Sequence, residues 1–269
     1  MKTTRSLEDL VEEQCQRAQL KARALSMRPP HPGERWPVIT ISSEAGAGGR
    51  TLGESIATSC AFAFWGPQLL AGVAEELHAV ESVLADVDGH VSSSVTDFVR
   101  SLLVGLEYSQ DEYARALAKV VGRIGERGAA VIIGHGSHLI LGPEHALRVR
   151  VVCSESERTR RIAQEEGLGG AAAERALNKR DHEAAAFIMH HFKKDVADPH
   201  GFDLVINSGV LGIAQATELV RQAYRAKFDQ MPGARDSEGG CEQPVARADG
   251  VRTAPADTGA LEFATATSR

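Results

Sequence analysis

The sequence predicts an α/β fold in which a parallel sheet is covered by helices on both faces. Three observations carry that expectation. Apolar, β-branched runs recur at 38–41, 131–133, 147–152 and 204–206. Stretches with helical periodicity separate them. The runs are continuously apolar rather than alternating, as strands buried on both faces must be.

Taken in order, residues 6–27 read as an amphipathic helix. Leu7, Leu10, Val11, Cys15, Ala18, Ala22 and Leu25 fall at helical spacing, and Ser6 with Asp9 forms a capping box. The apolar face would dock on another subunit or on the core, so residues 6–27 stand as a candidate surface for a protein partner or self-association. Pro29, Pro30 and Pro32 stop this helix and stiffen the linker that follows. The strand at 38–41 ends in a glycine-rich turn, and a helix runs from about 51 to 60. Helical patterns continue at 67–79, 94–106 and 110–127, the last with Ser109 and Glu112 as a capping box. The strand at 131–133 ends in Gly134-His135-Gly136. The strand at 147–152 leads into a helix capped by Ser154 and Glu157. A long helical pattern at 170–194, the strand at 204–206 and a helix at 212–228 complete the core. Residues 229–269 are rich in Gly and Pro and poor in large apolar side chains, and read as a disordered tail. The expected organisation is residues 1–35 as helix and linker, 36–228 as one domain and 229–269 as tail. About 190 residues suffice for one well-buried core.

Composition narrows the function classes. No apolar run approaches the ~20 residues of a membrane helix. The charged N-terminus lacks an apolar core of the secretory kind. Cys15, Cys60, Cys153 and Cys241 lie far apart and read as reduced thiols of a cytoplasmic protein. A formal charge of −6 opposes non-specific nucleic-acid binding, which needs a basic surface. His182, His190, His191 and His200 form the densest histidine group, but their spacing is wrong for a structural zinc site. There is no G-x-S-x-G elbow for covalent hydrolysis.

The most informative stretch is 42–51, SSEAGAGGRT, between a strand and a helix. Glycines there let backbone N–H groups curl around a phosphate, and the helix N-terminus adds partial positive charge. The dinucleotide fingerprint would use Gly46 and Gly48 but finds Thr51 at its third glycine. The lysine-type P-loop would find Ser43 at its first glycine, Gly48 at its second and Gly49 at its lysine. A tight turn without a ligand is the remaining reading.

The run VITISSEAGAGGRTLGESIA resembles the opening of the cytidylate kinase-like family, relatives of the nucleoside monophosphate kinases whose loop reads S-x-x-G-S-G-G-R-x-[IL]-G. The resemblance continues through VIIGHGSHLIL, LRVRVVCSESERTRRIAQEEGL and KRDHEAAAFIMHHFKKDVADPHGFDLVINSGVLGIAQATELV, in family order over most of residues 37–221. It implies a three-layer P-loop kinase fold with a mostly five-stranded parallel sheet and a helical lid. It implies ATP and Mg2+ as cofactors and transfer of the γ-phosphate to a nucleoside monophosphate-like acceptor. By this resemblance Ala45, Gly46, Ala47, Gly48 and Gly49 cradle phosphates, Arg50 supplies an adjacent cation, and Thr51 places a hydroxyl near phosphate or Mg2+. Arg158 and Arg161 carry over as lid-border catalytic arginines, and their spacing of three puts them on one helix face. Lys179, Arg180 and Asp181 occupy the second lid position, and His135 falls on the acceptor side. Asp203 opens a segment that in the family lies near the adenine pocket.

Three positions depart from the family pattern. Gly134-His135-Gly136 replaces Gly-Arg-Gly, Gly66 replaces an Asp, and Ala184 replaces a lid arginine, while the expected aromatic is present as Phe187. An imidazole cannot grip an acceptor phosphate bidentately as a guanidinium does. The departures bear on acceptor identity and turnover more than on nucleotide binding. They leave a second expectation open, a degenerate nucleotide-binding regulatory module without turnover.

Overall fold

Five parallel strands form one sheet in the order β2-β3-β1-β4-β5. They are β1 (Val38–Ser43), β2 (Ala63–Trp65), β3 (Ala130–Ile133), β4 (Ala146–Val152) and β5 (Leu204–Asn207). The computed structural model describes residues 7–24, 36–67 and 112–230, all within the unit spanning residues 1–237. The helices are α1 (Leu7–Ala24), α2 (Gly49–Cys60), α3 (Glu112–Arg127), α4 (Ser137–His145), α5 (Glu155–Glu166), α6 (Gly170–Phe192) and α7 (Ile213–Phe228). The helical pattern at 67–79 beyond Pro67, that at 94–106, the capping residues Ser6 and Ser109, the proline linker and the tail beyond Gln230 lie outside the described residues.

Strand alternation divides the core in two. Val38, Ala130 and Ile132 face α3 and α4, where Leu117, Val121, Ile124, Ile140 and Leu141 are buried against them. Ile39, Ile41, Val131, Ile133, Val149 and Ile206 face α2 and α7, meeting Leu52, Ile56, Val220 and Tyr224. Each such side chain stabilises the fold by about 2 kcal/mol through removal from water. Trp36, Phe62 and Tyr224 close the N-terminal end of the sheet with centroids 5.8–6.5 Å apart, and the Tyr224 hydroxyl donates to the Pro37 carbonyl at 2.8 Å.

The structure has one strand more than the apolar runs indicate. β2 is three residues long, at the sheet edge, and so short a run carries no period. α4 was also absent from the sequence reading. Gly142, with φ 68° and ψ 177°, and Pro143 break its pattern inside the helix. Ser154 stands at the N-cap of α5, but its hydroxyl makes no capping bond and meets Ser156 Oγ at 3.5 Å instead. Glu157 is engaged by Arg160 and Arg161 rather than by the cap, which corrects the expected capping box.

The apolar face of α1 docks on the chain's own core. Val11 packs with Ala63 and Trp65 on one side of β2, flanked by Leu7, Leu10 and Cys15. Ala18, Lys21 and Ala22 line a cleft with Thr58 and Phe64 on the other, and Lys21 Nζ donates to Thr58 Oγ1 at 2.8 Å. Glu8–Arg123 and Glu12–Arg127 pairs, both at 2.7 Å, join α1 to α3. As exposed pairs they contribute about 0–1 kcal/mol each.

Candidate functional site

The glycine-rich turn leaves the carboxyl end of β1, the central strand, whose connection runs to β2 on one side while that of the neighbouring β4 runs to β5 on the other. Ligands of open α/β sheets bind at such a switch point. The turn is held to its surroundings through Glu44 and Ala45. Glu44 N–H donates to the Val151 carbonyl at 3.1 Å, and its carboxylate accepts from Cys153 N–H at 3.0 Å. Ala45 N–H donates to Asp181 Oδ1 at 3.0 Å. Gly46 and Gly48 take left-handed φ of 72° and 78°. At Gly46 the loop comes so close to α5 that a Cβ would lie 2.8 Å from the Arg158 carbonyl oxygen. The first turn of α2 closes with Leu52 N–H donating to Gly48 O at 3.0 Å, so the amides of Gly48 and Gly49 have no acceptor within the helix.

Three of the expected arginines stand differently around this loop. Arg158 is buried and ties it down. Its Nε donates to Cys153 O at 3.1 Å, and its Nη1 donates to Ala45 O at 3.2 Å and to Asp181 Oδ2 at 2.5 Å. Asp181 therefore holds Ala45 and Arg158 at once, linking α6 to the loop. Arg161 lies against the loop's far side, with Nη1 3.5 Å from where a Cβ on Gly48 would be. Its Nε donates to Glu157 at 3.0 Å, and Nη1 and Nη2 donate to Ser208 Oγ and O at 3.2 and 3.1 Å. Bonds from Arg160 first, and then from Arg161, hold the Glu157 carboxyl down at about 2. Arg50 is exposed and pairs with Glu54, one turn along α2, at 3.0 Å, while Thr51 is exposed beside it. Lys179 pairs with Glu183 at 3.8 Å and Arg180 with Glu166 at 2.6 Å, both on exposed faces of α6. Of the 179–181 triplet, only Asp181 bonds to the loop.

His135 sits at the end of β3, the neighbouring strand, with a left-handed φ of 53° between two left-handed glycines. Its Nε2 meets the Pro67 carbonyl at 3.2 Å, and its ring stands edge-on to Phe187 of α6, centroids 6.0 Å apart. Burial lowers its pKa, against the opposing bond to Pro67. A neutral ring with Nε2–H donating to that carbonyl satisfies both observations.

Several residues at the site escaped the sequence reading. Ser208, just past β5, is buried and donates its hydroxyl to the Ala47 carbonyl at 2.7 Å. Arg150 is buried in β4, donates Nη1 to Ser42 Oγ at 2.8 Å and lies 3.9 Å from Glu44. Burial lowers its pKa, while Glu44 and Asp181 oppose that. A charged residue inside an apolar strand was the available signal for Arg150; for Ser208 it was its place at the close of the family segment that Asp203 opens. Asp203 stands at the opposite end of β5. There it takes bonds from Arg148 and Lys227 at 2.8 and 2.6 Å, which outweigh burial and hold its carboxyl at about 2.

Strand order, the glycine-rich β1–α2 turn and the α5–α6 pair across the strand ends define a three-layer P-loop kinase fold. The chain belongs to the cytidylate kinase-like family, whose model matches residues 38–210. That membership supports a nucleotide-using phosphotransferase in general. An uncharacterized protein from Eubacterium ventriosum ATCC 27560 shares the fold with a TM-score of 0.54 at 16% identity, over 71% of this chain and 99% of that one. A gluconokinase from Sinorhizobium meliloti 1021 aligns with a TM-score of 0.41 at 17% identity, over 73% and 97% of the two chains. A shikimate kinase from Bacteroides thetaiotaomicron aligns at 0.38 and 14%, over 72% and 99%. No curated protein matches the chain. No described helix is long and apolar enough to cross a membrane.

Proposed function

We propose that the protein is a cytoplasmic kinase that transfers the γ-phosphate of ATP to a nucleoside monophosphate-like acceptor. The observation that carries this reading is a left-handed glycine loop at the central strand's end, with one guanidinium behind it and another beside it. Phosphoryl transfer is mainly positioning and neutralisation of spread negative charge, and this arrangement suits both. The loop suits a polyphosphate because Gly46 and Gly48 take left-handed φ and the first-turn amides of α2 have no acceptor within the helix. Gly46, Gly48 and Gly49 would offer backbone donors to the phosphates, Ala45 and Ala47, whose amides bond Asp181 and Glu44, would shape the cradle with Arg158, and Arg161 and Arg50 would neutralise charge. Thr51 is exposed at the first turn of α2, beside the loop. That fits Mg2+ held by the Thr51 hydroxyl, water and substrate phosphates rather than by a protein cage. When bound, Mg2+ would neutralise charge on the phosphate oxygens. His135 would face the acceptor, with Asp181 orienting Arg158, and Lys179 and Arg180 would reach phosphates on closure of α5 and α6. An acceptor phosphate is already ionised, so no general base is required. Coupled turnover assays across nucleoside monophosphates test the proposal: phosphorylation of at least one is expected, and none at high enzyme concentration sinks it.

A second reading, a nucleotide-binding module without turnover, is favoured by His135. The position where the family carries a phosphate-gripping arginine holds an imidazole already engaged with a backbone carbonyl. ATP binding with no transfer to any acceptor would select this reading.

A further inference from the structure

The lysine of a lysine-type P-loop would stand at position 49. Here no side chain can begin there, because a Cβ on Gly49 would lie 2.3 Å from Ser43 Cβ and 2.5 Å from Ser43 Oγ. Cβ is fixed by the backbone, so rotating the serine cannot relieve the clash. Ser43 itself stands where the lysine-type loop has its first glycine. The two departures are therefore one: the space beside the loop is filled from β1 instead of from α2.

The loop's cation must then come from elsewhere. Arg158 is buried behind the loop, where it bonds Cys153, Ala45 and Asp181, and Arg50 turns to Glu54. Arg161 is the guanidinium beside Gly48, and Ser208 fixes it there. The serine hydroxyl accepts from Arg161 Nη1 while donating its single proton to Ala47 O, and the serine carbonyl accepts from Nη2. One residue thus binds both arms of the guanidinium and the loop backbone.

We propose that Ser208 is a positioning residue that aims Arg161 at phosphates on the loop, in the role that Ser43 denies to a side chain at position 49. The proposal rests on the phosphate-binding reading of the loop given above.

Calorimetric titration of the full chain with MgATP and with inorganic tripolyphosphate tests it. Ser208→Ala weakens both ligands by about tenfold, the worth of hydrogen bonds to a charged group. Ser208→Thr restores most of that loss by keeping the hydroxyl. Arg161→Ala costs at least as much, and adding Ser208→Ala to it costs little more, because the serine acts through the arginine. In the Arg161→Ala background, Ser43→Gly with Gly49→Lys regains affinity, whereas Gly49→Lys alone does not. Additive losses from Ser208→Ala and Arg161→Ala overturn the proposal, as does a loss confined to MgATP with tripolyphosphate unaffected. Unchanged affinity in Ser208→Ala, with binding abolished by Gly48→Asp, overturns the positioning role but keeps the phosphate loop. Unchanged affinity in Gly48→Asp overturns the phosphate loop as well.

Discussion

Around the glycine-rich loop, Arg150, Arg158 and Arg161 meet Glu44, Asp181, Glu157 and several carbonyls, so each guanidinium has partners before any ligand arrives. One strand away, at the end of β3, the corresponding side chains are His135 and Phe187, and the imidazole is engaged by a backbone carbonyl. The first region is preorganised by charge and the second by packing. A site built this way holds its loop geometry without ligand and keeps formal cations away from the β3 end. On the proposed reading, nucleotide recognition belongs at the loop and acceptor recognition falls to shape and neutral donors.

The harshest way to break the contrast is to spoil the loop itself. Gly46→Val places a β-branched residue at φ 72° with its Cβ 2.8 Å from the Arg158 carbonyl. Left-handed strain plus overpacking is expected to cost about 4 kcal/mol, read by urea unfolding. Arg158→Met comes next, leaving Asp181 and Glu44 without their buried partner. A loss of about 3 kcal/mol and weaker ATP binding are expected, with Arg17→Met as an exposed control.

Beneath both regions lies His138 of α4, stacked on Phe202 with centroids 4.7 Å apart. Burial first, and then Arg148 and Arg150, push its pKa from 6.5 down to about 4. The unfolded chain therefore takes up this proton before the native state does. Stability falls as pH drops from about 6.5 to about 4, by about 3 kcal/mol in all, and is unaffected by this group above that window. Thermal melts over that range should show the slope, and His138→Gln should flatten it.

The smallest effect sharpens the comparison instead of breaking it. His135→Arg would carry a bidentate cation into the neutral region. It should tighten binding of a nucleoside monophosphate by about tenfold, measured by calorimetry, if the acceptor phosphate lies there. An unchanged affinity would put that phosphate elsewhere.

The sequence displayed some of this more readily than the rest. β1 and β4 were legible because their apolar runs are long enough to exclude other readings, whereas Ala63-Phe64-Trp65 is too short to carry a period. Gly142-Pro143 hid α4 by imitating a loop. Motif order singles out the loop glycines, Arg158, Arg161 and Asp181, which the structure brings to one loop, but not their bonds. Nothing in spacing indicates that Arg158 grips a carbonyl of the loop while Arg161 is received by Ser208. Glu44 and Ser208 belong to no periodic pattern, and their roles exist only once β1, β4 and β5 end side by side. Asp203 was legible only as the start of a strand, and its ion pairs to Arg148 and Lys227 were not.

The position of α1 along β2 has a consequence for the whole molecule. An outermost strand offers an unpaired row of N–H and C=O groups, a template on which a strand of another molecule can add. Val11 and Ala22 bury their side chains in this helix, so the template is shielded by the chain itself. Stripped of that shield, the sheet would be open to growth by intermolecular pairing, and protein concentration would begin to govern its fate. At the β2 edge, the first helix thus stands where a further strand would add.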